Sequence, residues 1–360
     1  AWLLNLRGAD VKCAPLPHSF AILKDDGQLQ WFVDARKPVA ELAEHLGNEV
    51  SSAPPEALGA ALDQLAAQSA AVQIDPAGAP DWAYQRLQAG GAKVIKKEDP
   101  CALPKALKNE TELTGIRAAH NRDGLALTRF LHWLAQLDGT EGITELAAVE
   151  KLAGFRAGGA HYRGPSFDTI SGAAANGAIV HYRVTPESDR ALEAGTLYLV
   201  DSGGQYLDGT TDVTRTVAIG TPTPEHCDRF TRVLKGHIAL ARACFPSGTT
   251  GTQLDSLARQ FLWQAGLDYD HGTGHGVGAY LNVHEGPQRI SKHPCQAALE
   301  PGMIVSNEPG YYKAGGYGIR IENLVSVIAA PGLENSERAT LAFETLTMAP
   351  IDRALVDRDL

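Results

Sequence analysis

The sequence has no apolar run near the ~18 residues that a membrane-spanning helix requires. Its apolar runs, such as residues 197–200, have the length of a strand. It also has no excess of basic residues: 42 Asp and Glu stand against 32 Lys and Arg, a net charge of -10 with no basic cluster. A chain this acidic is a poor partner for a phosphate backbone. Neither a membrane nor a nucleic acid is therefore an expected partner.

The sequence contains few cysteines, and their spacing matches no paired motif. The five cysteines stand at positions 13, 101, 227, 244 and 295, and no two have C-x-x-C spacing. This excludes a zinc knuckle and a dithiol redox motif, and it predicts reduced, mostly buried thiols in a reducing compartment. The opening residues 1–8 have no charged n-region followed by a long apolar stretch, so they do not form a signal peptide. We expect a cytoplasmic protein.

At about 150 residues per domain, 360 residues predict two domains. Residues 1–105 combine short strand-like runs, an Ala-rich helical stretch at 55–69 and a hairpin signal at Asp26-Gly27, which predicts a small α/β domain. The strands are expected at Trp2–Leu6, Phe20–Leu23 and Leu29–Val33.

The pattern of helix and strand signals changes after residue 105. Asn109 with Glu112 three residues later predicts a capped helix start, and Thr223-Pro224 predicts another. We expect helices at 109–137, 144–157, 223–246 and 252–265, and strands at 167–171, 177–182, 197–206, 211–219, 274–280, 303–309, 318–328 and 341–348. This order of helix, helix and strands occurs twice. It predicts one α+β domain over residues 106–360, built from two similar halves.

The common nucleophile and phosphate motifs are missing. The sequence contains no G-x-S-x-G elbow and no phosphate-binding G-x-x-x-x-G-K-[ST] loop, and Val277 occupies the last glycine position of a G-x-G-x-x-G motif. His271 and His275 are four residues apart, as in the helical zinc motif H-E-x-x-H. Gly272 replaces the required Glu, however, and three glycines within 272–276 do not favour a helix.

What remains is a set of carboxylates in apolar strands: Asp201, Asp212, Glu308 and Glu322. A carboxylate is costly to bury without a cation or a donor. A single one is usually an edge-strand group or a partner of Arg, but here two lie in each half of the repeat. With His275 they form a mostly hard ligand set, which favours two divalent ions such as Mn²⁺ over structural zinc.

The spacing supports this site only in part. A two-residue turn at Asp208-Gly209 would place Asp212 opposite Gln205, on the same face as Asp201 but about 13 Å away along the strand. A shared metal then requires the strand to curl. We expect a bulge or sharp coil at Gly203-Gly204.

Five motifs in order resemble the pita-bread metallopeptidases, and among them the cytosolic type of aminopeptidase P (Xaa-Pro aminopeptidase). The resemblance covers about residues 109–350, and residues 2–8 resemble the creatinase N-terminal-like domain that precedes the catalytic one. The motifs are Asp201-Ser-Gly-Gly…Gly209-Thr-Thr-Asp212-Val-Thr-Arg-Thr, His271-Gly-Thr-Gly-His275-Gly-Val-Gly, Asn282-Val-His284-Glu-Gly-Pro, Asn307-Glu308-Pro-Gly-Tyr-Tyr and Gly318-Ile-Arg320-Ile-Glu322-Asn.

The resemblance implies that Asp201 binds one metal ion, that His275 and Glu308 bind a second, and that Asp212 and Glu322 bridge the two. Mn²⁺ is the expected metal, with Zn²⁺ or Co²⁺ as alternatives. A hydroxide between the ions would be the nucleophile. Glu308 would carry its proton to the leaving proline nitrogen.

The resemblance also implies a substrate site. His284 would support the tetrahedral intermediate and His181 would help to place the substrate, both as catalytic residues. The same two histidines would form the walls of the proline pocket, and His271 would be a further substrate-binding residue. Arg320 would brace Asp201 or the substrate. Phe167 matches a position that lines the pocket for the first substrate residue, although an ordinary core Phe fits it almost as well. A homodimer is compatible with the family.

The implied activity is hydrolysis of an N-terminal Xaa-Pro bond. A prolidase restricted to dipeptides shares every ligand, and a non-catalytic pita-bread binding module is a third interpretation. Members of the cytosolic type usually have an earlier domain and about fifty further residues of tail, and from this sequence we expect neither. It also has Asn307 where many relatives have Asp, and Arg183 at a variable position. None of these positions is a metal ligand.

Overall fold

The computed structural model describes residues 1–38, 41–137, 139, 141–333 and 336–360. It divides into two compact units. The first contains Ala1–Val11 and Pro15–Ala102, and the second contains Lys12–Ala14 and Leu103–Leu360. Within the described residues, no helix combines the length and the apolar character needed to cross a bilayer.

The first unit has two small sheets covered by helices. Strands β1 and β2 form an antiparallel hairpin, β3 runs parallel to β2, and β4 pairs in parallel with β5. Phe32, Leu58, Leu62 and Leu87 lie in its core. Its elements are β1 (Phe20–Leu23), β2 (Leu29–Phe32), α1 (Glu41–Leu46), β3 (Val50–Ala53), α2 (Leu58–Ala67), β4 (Ala71–Ile74), α3 (Asp81–Ala89) and β5 (Lys93–Lys96).

The hairpin predicted at Asp26-Gly27 is confirmed: Leu23 pairs with Leu29, and Gly27 has the positive φ of 88° that glycine tolerates. The strand predicted at 2–6 is wrong, because residues 2–5 form turns. The helix predicted at 55–69 is shorter, since Pro55–Ala57 form a single 3₁₀ turn before α2 begins.

The second unit repeats one pattern of two helices followed by strands, as predicted. Its elements are α4 (Ala102–Ala106), α5 (Glu110–Leu134), α6 (Glu145–Ala157), β6 (Tyr162–Pro165), β7 (Ile170–Ala173), β8 (Thr196–Ser202), β9 (Gly204–Tyr206), β10 (Gly209–Thr210), β11 (Val213–Ile219), α7 (Pro224–Ala241), β12 (Phe245–Pro246), α8 (Gly251–Trp263), β13 (Gly274–Gly276), β14 (Glu285–Ile290), β15 (Ile304–Asn307), β16 (Gly310–Lys313), β17 (Tyr317–Arg320), β18 (Asn323–Ala329) and β19 (Thr340–Thr345). The strand order is β11-β8-β7 in the first half and β12-β19-β18-β15-β13-β14 in the second.

Each half has its own apolar core. In the first half, Phe130 of α5 and Leu152 of α6 pack with Val200 of β8. In the second half, Leu254 of α8 packs with Val305 of β15 and neighbouring strand residues. The burial of one helical stripe against one sheet is what holds each half together.

The helices begin where the capping residues predict. Asn109 and Glu112 form a capping box at α5, and Thr223 caps α7 with Pro224 as its first residue. α7 ends at Ala241, not at the predicted 246, because Phe245 and Pro246 pair with β19. A residue in a strand pairing cannot continue the helix.

The strand predicted at 177–182 is wrong. Residues 174–178 form a 3₁₀ helix whose backbone packs directly against β17. A Cβ on Gly318 would lie 1.7 Å from the carbonyl oxygen of Gly177, so this contact requires glycine. The neighbouring strand predicted at 167–171 lies at β7, a few residues later.

The predicted register around Asp212 is also wrong. The turn is Leu207-Asp208, with Gly209 paired to Tyr206. Thr214 pairs with Asp201 in the same register, so Asp212 falls opposite Gly203. It is therefore a diagonal neighbour of Asp201, at about 7–8 Å between backbones. The chain also leaves one sheet for another at Gly203, between β8 and β9, where a sharp coil was expected.

The thiols are less buried than predicted. Four of the five cysteines are half-buried, and Cys244 is exposed.

Candidate metal centre

Five predicted ligands from both halves meet in one cluster, which we call the carboxylate cluster: Asp201, Asp212, His275, Glu308 and Glu322. They come from the end of β8, the β10–β11 connection, β13, the residue after β15 and the β17–β18 connection. Both halves of the fold are thus needed to assemble it.

The cluster contains two overlapping sets of oxygen and nitrogen donors. Asp201, Asp212 and Glu322 offer ligand atoms that all lie within 4.8 Å of one another, and so do His275, Glu308 and Glu322. His275 Nε2 lies 3.4 Å from Asp212 Oδ2 and 3.5 Å from Glu308 Oε1. Glu322 belongs to both sets. Donor sets of this kind suit hard or borderline divalent ions.

The ligands are held by neighbouring groups. His275 Nδ1 donates to the carbonyl oxygen of Gly276 at 2.9 Å, which leaves Nε2 with its lone pair toward the carboxylates. Ser306 Oγ accepts from the backbone N–H of His275 and donates to Glu308 Oε1 at 3.1 Å. One hydroxyl thus fixes two candidate ligands.

Thr214 and Arg320 hold the other side of the cluster. Thr214 Oγ1 donates to Glu322 Oε2 at 2.8 Å and accepts from Arg320 Nε at 3.2 Å. Arg320 Nη2 donates to Asp201 Oδ2 at 2.7 Å. The guanidinium is buried, so this ion pair is shielded from water. It supplies one positive charge to a cluster of four carboxylates.

The remaining charge is uncompensated. Burial, and after it the carboxylates of Asp201 and Glu308, raises the pKa of Asp212 well above its usual value. Burial and the neighbouring carboxylates, Asp212 first among them, raise the pKa of Glu322 in the same way. Three buried carboxylate oxygens of the cluster have no hydrogen-bond partner among the described residues: Asp201 Oδ1, Asp212 Oδ1 and Glu322 Oε1. Unpartnered oxygens that face like charges are what a cation would satisfy, so the residues fit two divalent ions.

Two further histidines lie beside the cluster. The rings of His275 and His284 are 4.3 Å apart and perpendicular. Burial, and then His275, lowers the pKa of His284 to about 4. Burial, and then Arg320, lowers the pKa of His271 to about 3. Both imidazoles are therefore neutral at pH 7 and can donate a hydrogen bond from one nitrogen only.

The tautomer of His271 is set by its neighbours. Its Nδ1 donates to the carbonyl oxygen of Gly272 at 2.8 Å, so its Nε2 accepts from the hydroxyl of Tyr312, also at 2.8 Å. Tyr312 in turn accepts from Arg320 Nη1 at 2.6 Å. His181 is exposed and lies close enough to contribute to the pKa values of His271 and His284.

Phe167 is half-buried and lies outside the donor groups. It follows Ser166, whose Oγ donates to the carbonyl oxygen of Thr211 at 2.8 Å, next to Asp212. Its position is thus tied to the edge of the cluster.

Sequence reasoning missed Thr214, Ser306 and Tyr312. Thr214 and Ser306 each stand two residues from a candidate ligand, and the two-residue period of a strand could have indicated them. Tyr312 had no such signal, because its contact with His271 joins residues that are 41 positions apart in the sequence.

A fold of two similar halves around a buried cluster of carboxylates and histidine defines the pita-bread class of metallohydrolases. The chain belongs to metallopeptidase family M24, whose model matches residues 114–329. The Creatinase/Prolidase N-terminal domain matches residues 1–112.

Among similar proteins, aminopeptidase P2 of Arabidopsis thaliana is 43% identical over 391 residues, covering 100% of this chain and 55% of that protein. A probable Xaa-Pro aminopeptidase P of Laccaria bicolor is 45% identical, covering 100% of this chain and 57% of that protein. The chain thus spans little more than half the length of these relatives.

The fold is shared with solved structures. One is an X-prolyl aminopeptidase from Caenorhabditis elegans, described as a cytosolic enzyme with a di-nuclear active site; its TM-score is 0.93 at 36% identity, covering 99% of this chain and 59% of that one. A Xaa-Pro dipeptidase from Bacillus anthracis gives a TM-score of 0.77 at 22% identity, covering 98% of this chain and 90% of that one, a likeness of fold alone.

Proposed function

We propose that this chain is the catalytic part of a metallo-aminopeptidase that hydrolyses the N-terminal Xaa-Pro bond of peptides with two divalent metal ions. The observation that carries the proposal is the carboxylate cluster, with its two overlapping donor sets and three unpartnered buried oxygens. The names and the di-nuclear site of the similar proteins favour the same reaction.

We assign the ligands from the two donor sets and from the 3.4 Å distance between Asp212 Oδ2 and His275 Nε2. Asp201 would hold one ion, His275 and Glu308 the other, and Asp212 and Glu322 both. Two divalent ions lower the pKa of water and polarise a carbonyl group. Mn²⁺ is the proposed metal because oxygen donors dominate the set, with Zn²⁺ or Co²⁺ as alternatives.

The leaving group is the reason that a proton donor is needed. The nitrogen of a Xaa-Pro bond is a tertiary amide without N–H, and it must gain a proton before it leaves. Glu308 would accept a proton from the attacking water and give it to this nitrogen. Ser306 Oγ donates to its Oε1 and so holds the orientation of the carboxylate.

The neutral histidines would orient the substrate. His284, beside His275, would donate to the carbonyl oxygen on which negative charge develops. His181 and His284 would form the walls of the proline pocket, His271 would also bind the substrate, and Arg320 nearby would keep Asp201 in place. Phe167 would line the pocket for the first substrate residue.

Proline specificity is tested by comparing kcat/KM for Arg-Pro-Pro and Arg-Ala-Pro with saturating Mn²⁺. Alanine loses ring burial, at about 0.8 kcal/mol per carbon for one to three carbons, and it loses the fixed φ that orients the bond. We expect Arg-Ala-Pro to be cleaved at least about ten- to a hundredfold less efficiently. Equal rates would move the protein toward a general aminopeptidase on the same fold.

A prolidase is the second candidate, because its donor set would be the same. Cleavage of Arg-Pro-Pro together with weak cleavage of Ala-Pro identifies the aminopeptidase, and the reverse identifies the prolidase. If neither peptide is cleaved and no metal binds, the non-catalytic binding module is the correct interpretation.

The location and assembly are also proposals. A cytoplasmic location is supported by the cytosolic C. elegans relative. A homodimer is compatible with the family and is tested by sedimentation of the isolated chain. We further propose a catalytic domain that begins at residue 106.

A further inference from the structure

A second fully buried carboxylate lies outside the carboxylate cluster and has no cation beside it. Glu145 is the first residue of α6, after the N-cap Thr144, and its exposure is 0%. No Lys or Arg side chain within the described residues forms an ion pair with it. Burial raises the pKa of this carboxyl group. A buried carboxylate without a charged partner is rare unless hydrogen bonds hold it.

Here neutral donors alone hold it. Glu145 Oε1 accepts from the backbone N–H of Ala173 at 2.6 Å and from Asn176 Nδ2 at 3.0 Å. Its Oε2 accepts from Asn176 Nδ2 at 3.1 Å, from the hydroxyl of Tyr182 at 3.0 Å and from the backbone N–H of Arg190 at 3.2 Å. Charge-assisted bonds of this kind are stronger than neutral ones.

These donors lie along one stretch of chain, residues 173–190, that we call the His181 segment. Tyr182 also contacts Asn176 Nδ2 and Ser188 Oγ, so its hydroxyl joins the two arms of the segment. Beyond the 3₁₀ turn at 174–178, the segment has no regular strand or helix of its own up to Arg190. Its conformation therefore depends on the carboxylate at its centre.

The segment presents His181 to the candidate site. His181 is exposed, whereas the next residue, Tyr182, is buried with its hydroxyl on Glu145. The 3₁₀ turn at 174–178, just before His181, packs against β17, which ends at Arg320, and His181 acts electrostatically on His271 and His284.

We propose that Glu145 is a positioning residue, which anchors the His181 segment and thereby holds His181 beside His271 and His284. This role rests on the proposed function, because it gives His181 a place in substrate binding. Glu145 touches neither the carboxylate cluster nor a substrate, so it acts through His181 alone. Loss of the anchor would raise KM and leave metal binding intact.

A double-mutant cycle on the Mn²⁺-loaded protein tests this route, with Glu145→Gln, His181→Ala and the double variant. Glutamine keeps the size of the side chain but presents an N–H₂ group to donors. We expect Glu145→Gln to lower kcat/KM for Arg-Pro-Pro about tenfold, mainly through KM, with two metal ions per chain retained. In the His181→Ala background, Glu145→Gln should lower kcat/KM for Arg-Pro-Pro by less than about twofold. An equal loss in both backgrounds, or a loss of metal, would overturn the proposal.

A second measurement does not depend on activity. Arg183 lies two residues after His181, and its side chain is 74% exposed, so trypsin can cleave there when the segment loosens. Tyr182→Phe removes one donor to Glu145 and is the milder variant should Glu145→Gln fail to fold. We expect either variant to be cleaved after Arg183 or Arg190 at least about fivefold faster than the wild type.

Tyr206→Phe is the matched control, because Tyr206 also donates its buried hydroxyl to a buried carboxylate, that of Asp123 at 2.8 Å. It should leave cleavage after Arg183 unchanged. If Tyr182→Phe behaves like Tyr206→Phe, the anchor is absent and the proposal is wrong. If the wild type cleaves no Xaa-Pro peptide while the segment loosens as expected, the proposed function fails and the anchoring stands.

Discussion

Two of the buried groups of carboxylates in the second unit have opposite kinds of partner. Asp123 on α5 lies against Arg156 on α6, and the exposures of the two side chains are 4% and 3%. Asp212, Glu308 and Glu322 lie close to one another in the carboxylate cluster. The guanidinium of Arg320 donates to Asp201, the fourth carboxylate of that cluster. Both groups are shielded from water, so the difference lies in their partners.

The partners decide the protonation of each group. Although burial alone would raise the pKa of Asp123, the guanidinium of Arg156 holds it below its usual value. At Asp212, burial and the neighbouring carboxylates act in the same direction and raise the pKa. Asp123 receives two bonds from Arg156, at 2.8 and 3.0 Å, and one from Tyr206. Asp212 Oδ1 receives none.

The comparison shows how an ion site can be recognised in a fold. A chain that can place Arg156 beside Asp123 could also have neutralised Asp212 with a side chain of its own. Leaving several buried carboxylates short of cations costs stability unless something external supplies the charge.

Asp212→Asn should have the largest effect. The amide has no charge, so it cannot balance two divalent ions, and we expect less than about a thousandth of the wild-type turnover of Arg-Pro-Pro. The fold should persist, because the change removes repulsion from the cluster. Turnover and bound metal per chain are measured together. Two bound ions with near-normal turnover would show that Asp212 is not a bridging ligand.

Arg156→Met should have the second-largest effect, which we expect on the free energy of unfolding and not on metal binding. It leaves the carboxylate of Asp123 buried without its cation, which costs about 3–5 kcal/mol in the free energy of unfolding. Urea unfolding measures this cost, and the metal content should not change. The double variant Asp123→Leu/Arg156→Met should recover most of the loss, since it removes both charges. A single variant within about 1 kcal/mol of the wild type would mean that the pair is more hydrated than the structure shows.

Metal removal should weaken the fold by a smaller amount. A ligand that binds only the folded state at a hundred times its Kd stabilises it by about 2.7 kcal/mol. We expect unfolding midpoints to rise with added Mn²⁺ after chelation, equally in the wild type and in Arg156→Met. The rise should be much smaller in Asp212→Asn. A rise of the same size in Asp212→Asn would place the stabilising ion elsewhere.

The sequence predicted the residues of this comparison unequally. Asp212 and Glu322 stood out because a charge within an apolar strand is visible in a pattern of period two. The proximity of Asp212 to Asp201 was not predicted, because a one-residue error in the turn at 207–208 changed the register by two residues. The helix starts at Asn109 and Thr223 were predictable, since their caps are local.

Contacts between distant segments were beyond local patterns. In the sequence, Asp123 and Arg156 look like ordinary charged residues of two separate helices. The packing of α5 on α6 brings their side chains together. Glu145 likewise reads as a usual first-turn acid of a helix, although Ala173 and Arg190 converge on it. The sequence indicates which charges are unusual, and the tertiary structure determines how they are paired.

The smallest effect is expected at an exposed copy of the paired arrangement. Arg117 Nε and Nη2 donate to the two carboxylate oxygens of Glu344, each at 2.8 Å, in the same two-bond geometry as Arg156 with Asp123. The exposures here are 38% and 32%, so water and salt screen the pair. Arg117→Met should cost at most about 1 kcal/mol in urea unfolding, and the cost should shrink as salt is added. The Arg156→Met cost should stay nearly constant over the same salt range. If the stability costs of the two variants respond alike to salt, burial does not shield the Arg156–Asp123 pair from salt. Burial of unpaired carboxylates would then not mark the metal site.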